Sequence, residues 1–420
     1  MTAAASFGGF VARAHAAGTL VVQPRMGMAG PGPMRAGLHA TKRAAATTVG
    51  TITVDSYTRT GETAAARRAL EEGAALNGYP IATHPVEVTR GVLEGIVGPD
   101  FPVQVRHGSA RPEPIVAALL AVGLHATEGG PVSYCLPYSR TPLAVAVADW
   151  ERGCRLLADA AQPGVTPHLE TFGGCMMGQL CPPALLVAIS VLEALFFRQH
   201  GLRSISLSYA QQTDVRQDEE AVTALARLAD ELLPDVEWHV VLYAYMGLYP
   251  LSPGGAQLLL DEAAGLAVRT GAARLIVKTT AEAHRIPTVE ENVRALETAA
   301  AIAAGTTAGT DLPAADSVTY AEARALVEAV LQLDDDIGRA LVRAFAAGYL
   351  DVPFCLHPDN AGRARGALDA DGRLQWADTG ALPLPGRPVR GHRAVLGAAQ
   401  LIDALSYVQR SYDRRALATR

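Results

Sequence analysis

The chain has 420 residues, 49% of them hydrophobic and 19% charged, a balance typical of a soluble globular protein with a large core. Its formal charge of −6 gives no reason to expect nucleic acid or an anionic membrane as a partner. The longest apolar run, 184–197, is too short to span a bilayer and contains Ser190 and Glu193. Since no signal peptide is recognisable at the start, we expect a cytoplasmic protein.

The cysteines and the common nucleotide and nucleophile motifs exclude several classes of enzyme. No CxxC or CxxxCxxC pattern occurs, so a zinc ribbon or a radical-SAM iron–sulfur cluster is unsupported. A Ser-centred GxSxG motif and a P-loop are also absent. We therefore expect buried, reduced thiols and no metal site for the five cysteines, which are Cys135, Cys154, Cys175, Cys181 and Cys355.

Short apolar segments alternate along the chain with amphipathic helices. Strands are predicted at 19–22, 49–54, 102–105, 121–126, 166–170, 204–208, 238–242 and 274–277, with a weak extra segment around Ile81. Helices are predicted at 64–74, 88–97, 115–122, 143–161, 184–200, 218–233 and 255–270, and later at 289–304, 317–347 and 394–412.

Eight strand-then-helix units within roughly 270 residues favour a (β/α)8 TIM barrel over an open doubly wound sheet. No GxGxxG follows the first strand, which weakens a dinucleotide-binding fold further. The chain would then divide into an N-terminal segment (1–18), the catalytic barrel with its following helices (19–355) and a C-terminal helical and irregular extension (356–420).

Residues just after the strands of such a barrel converge on one mouth, where catalysis takes place. Arg25, Arg59 and Arg106 stand after the first three strong strands. A single arginine at such a place is usually a surface ion pair, but three at equivalent positions suit a substrate with two carboxylates. Glu128, after the next strand, would accept a hydrogen bond from an ammonium group. These four residues together indicate a dicarboxylic amino acid.

The stretch 127–140 (TEGGPVSYCLPYSR) contains the most unusual pattern of glycine and proline residues in the chain. Glu128 is followed by two glycines, and Tyr134 and Tyr138 come four residues apart. A Gly-Gly-Pro turn directly after a strand leaves an irregular, exposed backbone, where catalytic groups tend to lie. The alternative is an ordinary surface turn with two packed tyrosines.

Three other residues leave two interpretations open. Lys278 and Glu282 stand four apart after the eighth strand, as an ordinary helical ion pair or as groups that reach into the mouth. Lys278 would also suit a Schiff-base lysine. His107 is a ligand or an acid in one interpretation and a hydrogen-bonding structural residue in the other.

At these residues the chain resembles the large (epsilon) subunit of glutamate mutase, also called methylaspartate mutase, an adenosylcobalamin-dependent enzyme. The resemblance extends from about residue 21 to residue 360, and each of its motifs falls at a predicted strand end or turn. The motifs are, in order, QPRMG, VDSYTR, LNGYP, QVRHG, TEGGPVSYCLPYS, LIVKTTAEAHRIPT and VPF with Asn360-Ala361-Gly362.

The resemblance implies a (β/α)8 barrel and assigns roles to single residues. Glu128 would hold the substrate amino group and, with Arg106 and Tyr134, form the catalytic set. Substrate-binding residues would be Arg25, Arg59, Arg106, Glu128, Tyr134, Tyr138 and Met246. Residues near the cofactor would be Lys278 and Glu282, which match contacts of the adenosyl group, together with His107 and Asn360.

By the same resemblance, an adenosyl radical would remove hydrogen from glutamate, a glycyl unit would migrate, and hydrogen return would give 3-methylaspartate. Cobalamin in such enzymes is held by a DxHxxG motif. The only similar element here is His15-Ala-Ala-Gly18, with Arg13 in place of the aspartate. The cobalt-ligating histidine is therefore expected on a small cobalamin-binding partner subunit, with two copies of this chain in a heterotetramer.

The chain departs from the family pattern at a few places in the expected pocket wall. Tyr243 stands where a histidine is expected, and Cys175, Cys181 and the stretch YAQQ (209–212) also differ. The first alternative is thus the same radical chemistry on a related amino or oxo diacid in secondary metabolism. Others are a Schiff-base barrel lyase or aldolase that uses Lys278, and an idle scaffold homologue.

Overall fold

In a computed structural model of the protein, which describes residues 6–74, 76–175, 180–309, 317–385 and 397–418, eight parallel strands form the central sheet. Most of them have only four residues, and nearly every strand residue is buried. The strands are β1 (Val21–Pro24), β2 (Gly50–Thr53), β3 (Val103–Arg106), β4 (Ala126–Gly129), β5 (His168–Thr171), β6 (Ser204–Ala210), β7 (Glu237–Tyr243) and β8 (Arg274–Val277).

The sheet is closed into a barrel. Each strand from β2 to β8 pairs in parallel with the next, and β8 pairs with β1. The remaining seam, between β1 and β2, is joined by a bridge between Val22 and Thr48 and by a hydrogen bond from Thr53 N to Met26 O of 2.9 Å. The predicted (β/α)8 barrel is confirmed.

Helices cover the outside of the barrel between successive strands. Several begin at a side chain that accepts hydrogen bonds from the first turn, such as Asp55 before the third helix and Ser252 before the tenth. They are α2 (Pro31–Arg43), α3 (Ser56–Thr60), α4 (Thr63–Glu71), α5 (Val86–Leu93), α6 (Glu113–Ala121), α7 (Leu143–Ala158), α8 (Pro183–Gln199), α9 (Val215–Leu232) and α10 (Pro253–Arg269).

An N-terminal helix, α1 (Phe7–Ala16), lies across the end of the barrel where the strands begin. The Phe7 ring stacks on His168, the first residue of β5, with 5.0 Å between ring centroids. The guanidinium of Arg274, at the start of β8, lies 5.0 Å from the Phe7 ring centre on the barrel side. This helix therefore closes the end of the barrel opposite the strand carboxyl ends.

The chain after β8 adds further layers outside the barrel. Helices α11 (Val289–Gly305), α12 (Val318–Leu331) and α13 (Ile337–Ala347) follow, and α12 and α13 pack on α8. This explains why α8 is apolar on every side. A hairpin of β9 (Arg365–Leu368) and β10 (Leu374–Asp378) precedes α14 (Ala398–Leu405) and α15 (Tyr407–Ala418), and α15 packs on α10.

Several predicted boundaries were wrong. The segment 121–126 is not a strand: α6 ends at Ala121 and β4 begins only at Ala126, so that Glu128 lies inside the strand. The apolar residues of this region belong partly to the end of α6 and partly to the start of β4, and the periodicity of apolar residues does not show where one element ends and the next begins. The segment around Ile81 forms a turn, apart from one bridge between Val54 and Tyr79.

The predicted helix 289–304 is a single helix, α11, but the last two predicted helices are each divided into two. The segment 317–347 is broken at Asp334–Asp336, where Asp336 caps α13. The segment 394–412 divides near Ser406. Its first three residues lie outside the described residues, as do 386–390 of the C-terminal extension and 176–179 after β5. None of the described helices combines the length and hydropathy needed to cross a bilayer. All five cysteines are free and buried, as predicted.

Candidate active site at the barrel mouth

The carboxyl ends of the strands surround a cavity of about 210 Å³. All seven residues predicted to bind the substrate contribute to its wall, although they come from five different strand-end segments of the barrel. The predicted residues that line it are Arg25, Arg59, Arg106, His107, Glu128, Tyr134, Tyr138 and Met246, and Phe172 and Asn77 also contribute.

An ion pair between Arg106 and Glu128 forms the floor of this cavity. Arg106 Nε donates to Glu128 Oε2 at 2.7 Å, and both side chains are almost fully buried. The Tyr134 hydroxyl donates to Glu128 Oε1. Burial alone would lower the pKa of Arg106, but Glu128, Tyr243, Tyr134 and Glu170 together outweigh this effect and raise it well above its usual value. Arg106 is therefore charged at neutral pH.

The local sequence after Glu128 is shaped by this arrangement. Gly129 has a φ of 130°, and a Cβ there would meet the rings of Tyr134 and Trp150. Only glycine allows the chain to turn so tightly that Tyr134 folds back onto the carboxylate six residues earlier. The first glycine of the Gly-Gly pair, which was predicted to be functional, is thus required for steric reasons.

Arg25 and Arg59 differ from Arg106 in their surroundings. Both are exposed at the rim of the cavity, and among the described residues neither forms a hydrogen bond or ion pair. The Arg59 side chain runs along Gly108, whose added Cβ would lie 3.1 Å from Arg59 Cδ. Two guanidinium groups thus face the cavity with their donors available.

His107 lies beside the Arg106–Glu128 pair. Its Nδ1 accepts from Ser109 N at 3.0 Å, which places the ring hydrogen on Nε2, and within the described chain that atom is buried without a partner. The ring packs against Trp150 and Tyr134. Burial, with the nearby charge of Arg106, lowers the pKa of His107 to about 3, so the imidazole is neutral. The structure brings it into the cavity wall with the substrate residues.

Comparison with known proteins identifies the family. The model of the family described as methylaspartate mutase E chain (MutE) matches residues 1–400. The glutamate mutase epsilon subunit of Halobacterium salinarum is 37% identical over 82% of this chain and 74% of its own. The same subunit of Escherichia coli O157:H7 is 32% identical over 79% and 72%, and that of Desulfitobacterium hafniense is 32% identical over 81% and 73%.

The chain belongs to the methylaspartate mutase E chain family. The resemblance inferred from local motifs is thereby confirmed over most of its length. The solved structure of a spore coat polysaccharide biosynthesis protein from Bacillus subtilis has a TM-score of only 0.39 at 12% identity, over 68% of each chain. That similarity is too distant to inform the site of this methylaspartate mutase E chain family member.

Lys278 and Glu282 lie above the cavity floor, after β8. Their charged atoms are 3.7 Å apart, and Lys278 Nζ lies 4.8 Å from the ring centre of Tyr249. Burial, with the charge of Arg25, lowers the pKa of Lys278 to about 8. Arg25, whose charge acts on Lys278, lines the cavity, but neither Lys278 nor Glu282 lines it.

Asn360 is not brought to the cavity. Its amide oxygen accepts from Val352 N at 2.8 Å, and its amide nitrogen donates to Val352 O at 3.0 Å and to Cys355 O at 3.2 Å. Asn360 therefore fixes the loop 352–360, in which Phe354 has a positive φ of 61°. Any effect on a ligand would pass through that loop.

Below the Arg106–Glu128 pair, a chain of buried polar groups that the sequence did not reveal continues along the barrel axis. The Tyr243 hydroxyl lies 2.8 Å from Glu128 Oε2, accepts from Arg106 Nη2 at 3.1 Å and contacts Glu170. Glu170 in turn pairs with Arg274. We call Arg106, Glu128, Tyr243, Glu170 and Arg274 the axial network.

Gln23, Gln104 and Ser206 complete the hydrogen bonds around Glu170 and Arg274. A signal for this layer exists in the sequence, because several short and fully buried strands carry polar or charged residues, as in VQVR, HLET and RLIV. Such residues within fully buried strands must point at one another, inside the barrel.

A second cavity, of about 410 Å³ and more apolar, adjoins the first. Tyr138 and Met246 line both. Its other walls include Cys175, from the stretch where the chain departs from the family pattern, and Phe354. Tyr138 and Met246 thus separate a charged compartment from an apolar one.

Proposed function

We propose that this chain is the substrate-binding subunit of an adenosylcobalamin-dependent mutase that interconverts L-glutamate and 3-methylaspartate. The observation that supports it most is the charge of the cavity. Arg25, Arg59 and Arg106 bring three positive charges and Glu128 brings one negative charge, so the cavity has a net positive charge that favours an anionic ligand. A molecule with two carboxylates and one ammonium group complements all four.

The pairing within the cavity indicates how such a substrate would bind. Arg25 and Arg59 have all their donors available, so they would bind the two carboxylates, while Arg106 offers only the part of its guanidinium not used by Glu128 and Tyr243. The substrate ammonium would donate to Glu128 Oε1, whose described donor is Tyr134 alone. The His107 Nε2–H is one more neutral donor in the wall.

These residues would orient the substrate and keep water out rather than exchange protons. The guanidinium and carboxylate groups hold the ends of the molecule, and the rings of Phe172 and Tyr134, 5.0 Å apart, cover its middle. Such fixed positioning lowers the entropy cost of the reaction and protects reactive intermediates.

The residues after β8 fit the adenosyl part of the cofactor. Lys278 and Glu282 offer a donor and an acceptor that bind the hydroxyl groups of a ribose, and Tyr249 gives them an aromatic neighbour. When bound, adenosylcobalamin would supply a carbon-centred radical that removes and returns a hydrogen atom. The roles of Lys278 and Glu282 are to hold that group beside the substrate.

A cobalt ligand from a partner subunit is part of the proposal. His15, in the one HxxG sequence, lies on α1, at the closed end of the barrel and away from the cavity. At the open end, exposed apolar side chains stand on separate loops: Leu248 and Leu251 after β7, Ile286 after β8, and Leu356. This rim suits a small cobalamin-binding subunit with a DxHxxG motif that covers the mouth.

Two further points follow the family. We expect two copies of this chain within a heterotetramer, which light scattering of the assembled complex would measure. We also expect a cytoplasmic location, where reduced thiols such as the five buried cysteines persist.

The deciding experiment uses the purified chain with a small cobalamin-binding subunit, adenosylcobalamin and L-glutamate. Formation of 3-methylaspartate, together with a cobalt(II)-coupled radical signal, is expected. A radical signal without this product would keep the chemistry and redirect the search to other amino or oxo diacids. Neither signal, with a partner proven active on another large subunit, would overturn the proposal.

A further inference from the structure

Glu193 is a buried carboxylate in the middle of α8, where every neighbouring residue of the helix is apolar or small. Its side chain is not exposed to solvent, and no ion pair joins it to a basic residue within the described chain. A carboxylate in such a place is stable only if hydrogen bonds replace water. The donors that do so define what the residue does.

Five donors converge on this carboxylate from two loops. Oε1 accepts from Val132 N at 3.3 Å and Ser133 N at 2.9 Å. Oε2 accepts from Ser133 Oγ at 3.0 Å, Phe172 N at 3.2 Å and Gly173 N at 2.9 Å. The first loop follows β4 and the second follows β5. Both loops therefore bind one anion on the helix behind them.

The approach is so close that it restricts the sequence of the first loop. A Cβ at position 130 would collide with the Glu193 carboxylate. Gly130 thus allows the loop backbone to lie directly on the carboxylate, which accounts for the second glycine of the Glu-Gly-Gly sequence.

Both loops contribute residues to the wall of the candidate active site. Tyr134 comes directly after Ser133 and donates to Glu128. Phe172 lines the same cavity, with its ring 5.0 Å from that of Tyr134. A shift of either loop would therefore move the Tyr134 hydroxyl relative to Glu128.

We propose that Glu193 is a positioning residue of this site, an internal anion that holds the loops after β4 and β5 together so that Tyr134 orients Glu128. The effect on loop order does not depend on the reaction. The effect on turnover rests on the proposed function.

The chemistry requires the ionised carboxylate, because all five partners are donors. A protonated acid, or an amide, presents a donor at one of the two oxygen positions and loses the bonds there. Burial raises the pKa of Glu193 to about 7. The titratable group that faces it from α7 is the Cys154 thiol, whose own pKa is raised well above its usual value by burial and then by Glu193. That thiol stays neutral, so of these two facing groups Glu193 is the one that changes charge near pH 7.

Hydrogen exchange of the full chain, read by mass spectrometry, tests the proposal without a cofactor or partner. In Glu193→Gln at pH 8, exchange should rise about tenfold or more in peptides that cover 127–140 and 168–175, because shared acceptors are lost. Glu219→Gln, a buried carboxylate that pairs with Arg216 and Arg269, is the matched control and should leave both peptides unchanged.

The wild-type chain gives a second test that does not depend on whether the variant folds. Protection of both peptides, corrected for the intrinsic pH dependence of exchange, should fall as the pH is lowered through about 7. Protection that is flat from pH 8 to 6, or a change in only one of the two loops, would overturn the positioning role.

Turnover separates this inference from the proposed function. The mutase activity of Glu193→Gln should fall about tenfold or more in kcat/KM, and its pH profile should lack the acidic limb near 7 that we expect for the wild type. Looser loops with unchanged turnover would refute the catalytic importance of Glu193. An inactive wild type with the exchange result intact would refute the proposed function only.

Discussion

The side chains of Arg106 and Glu128 carry opposite charges and are almost fully buried at the floor of the cavity. Removal of either partner leaves the other charge buried without compensation, which costs far more than the loss of an exposed pair. The two exposed arginines of the cavity, Arg25 and Arg59, do not need a charged protein partner, because water solvates them. At the level of single residues, the three arginines are therefore not equivalent.

Arg106→Lys should lower kcat/KM about 10- to 100-fold, since the loss of charge-assisted hydrogen bonds costs about 1.5–3 kcal/mol. Arg106 donates to Glu128 at 2.7 Å and to Tyr243 at 3.1 Å from two nitrogens of its planar guanidinium, a fixed geometry that the single ammonium of lysine does not reproduce. Steady-state kinetics with the assembled enzyme measures this. Arg59→Lys is the control, and it should act mainly on KM. Equal effects of the two changes would contradict the distinction.

Buried histidines should make the fold sensitive to acid. Burial and the charge of Arg274 hold the pKa of His239 well below its usual value, and within the described residues its Nε2 has no partner. The unfolded chain takes up the proton first, so the stability due to neutral His239 is complete above pH 6.5 and is lost as the pH falls.

His239→Phe should reduce the loss of unfolding free energy between pH 7.5 and 5.5 by about 1.4 kcal/mol. Urea unfolding at the two pH values gives the difference. The raised pKa of Glu193 changes the pH dependence of stability in the opposite direction. Since Glu193 is present in both the wild type and the variant, its contribution does not affect the difference between them. The exposed His39→Asn serves as the reference, and a slope that changes equally in both variants would exclude the assignment.

The loop after β4 is the element on which the site depends most. Its two glycines serve different neighbours: Gly129 makes room for the rings of Tyr134 and Trp150, and Gly130 for Glu193. The helix α8 behind it therefore acts as a support for the active-site wall as well as a layer of the barrel.

Gly130→Ala should destabilise the protein by about 1–3 kcal/mol, because the new methyl group displaces either the loop or the carboxylate. Gly91→Ala provides the comparison, since this glycine lies within α5 with open space where a Cβ would be. It should raise the stability by about 0.4–1 kcal/mol. Thermal unfolding of both variants measures the contrast, and a neutral Gly130→Ala would show that the loop yields easily.

Much of this element structure could be predicted from the sequence. The strand 274–277 was placed correctly, and the arginines after the first three strong strands do meet at one cavity. Polar residues in the buried strands signalled an internal layer, but the partners within the axial network could not be predicted, because a four-residue strand buried on both faces has no apolar–polar alternation that orders its side chains. Arg274 was thus seen as the first residue of an apolar strand, although its guanidinium bonds Glu170 and Gln23.

The whole molecule has two unlike ends. Helix α1 covers one end, and the other is open and bears apolar side chains on separate loops. Ile286 is 76% exposed and Leu356 83%, values that are unusual for large aliphatic side chains on the functional face of a barrel. Because the two ends differ in this way, the proposed partner subunit has a single face to bind.

Ile286→Glu should weaken binding of the small subunit about tenfold or more and leave the thermal stability of the isolated chain unchanged, because a charge would then need to be buried at the interface. Titration calorimetry measures the affinity. Ala301→Glu, exposed on α11 and twelve residues beyond its start, or about 18 Å away from the mouth, is the matched control. Equal affinities for both variants would place the partner elsewhere.

The pair of Glu170 and Arg274 has a consequence for how such a barrel can change over time. Each side chain has no exposed surface, and each neutralises the other. A substitution at only one position would leave an isolated charge in the interior, so a lineage can change these positions only together or through a neutral intermediate that replaces both. Among homologous chains, positions 170 and 274 should therefore covary, whereas Arg25 and Arg59 are free to change singly as the substrate changes.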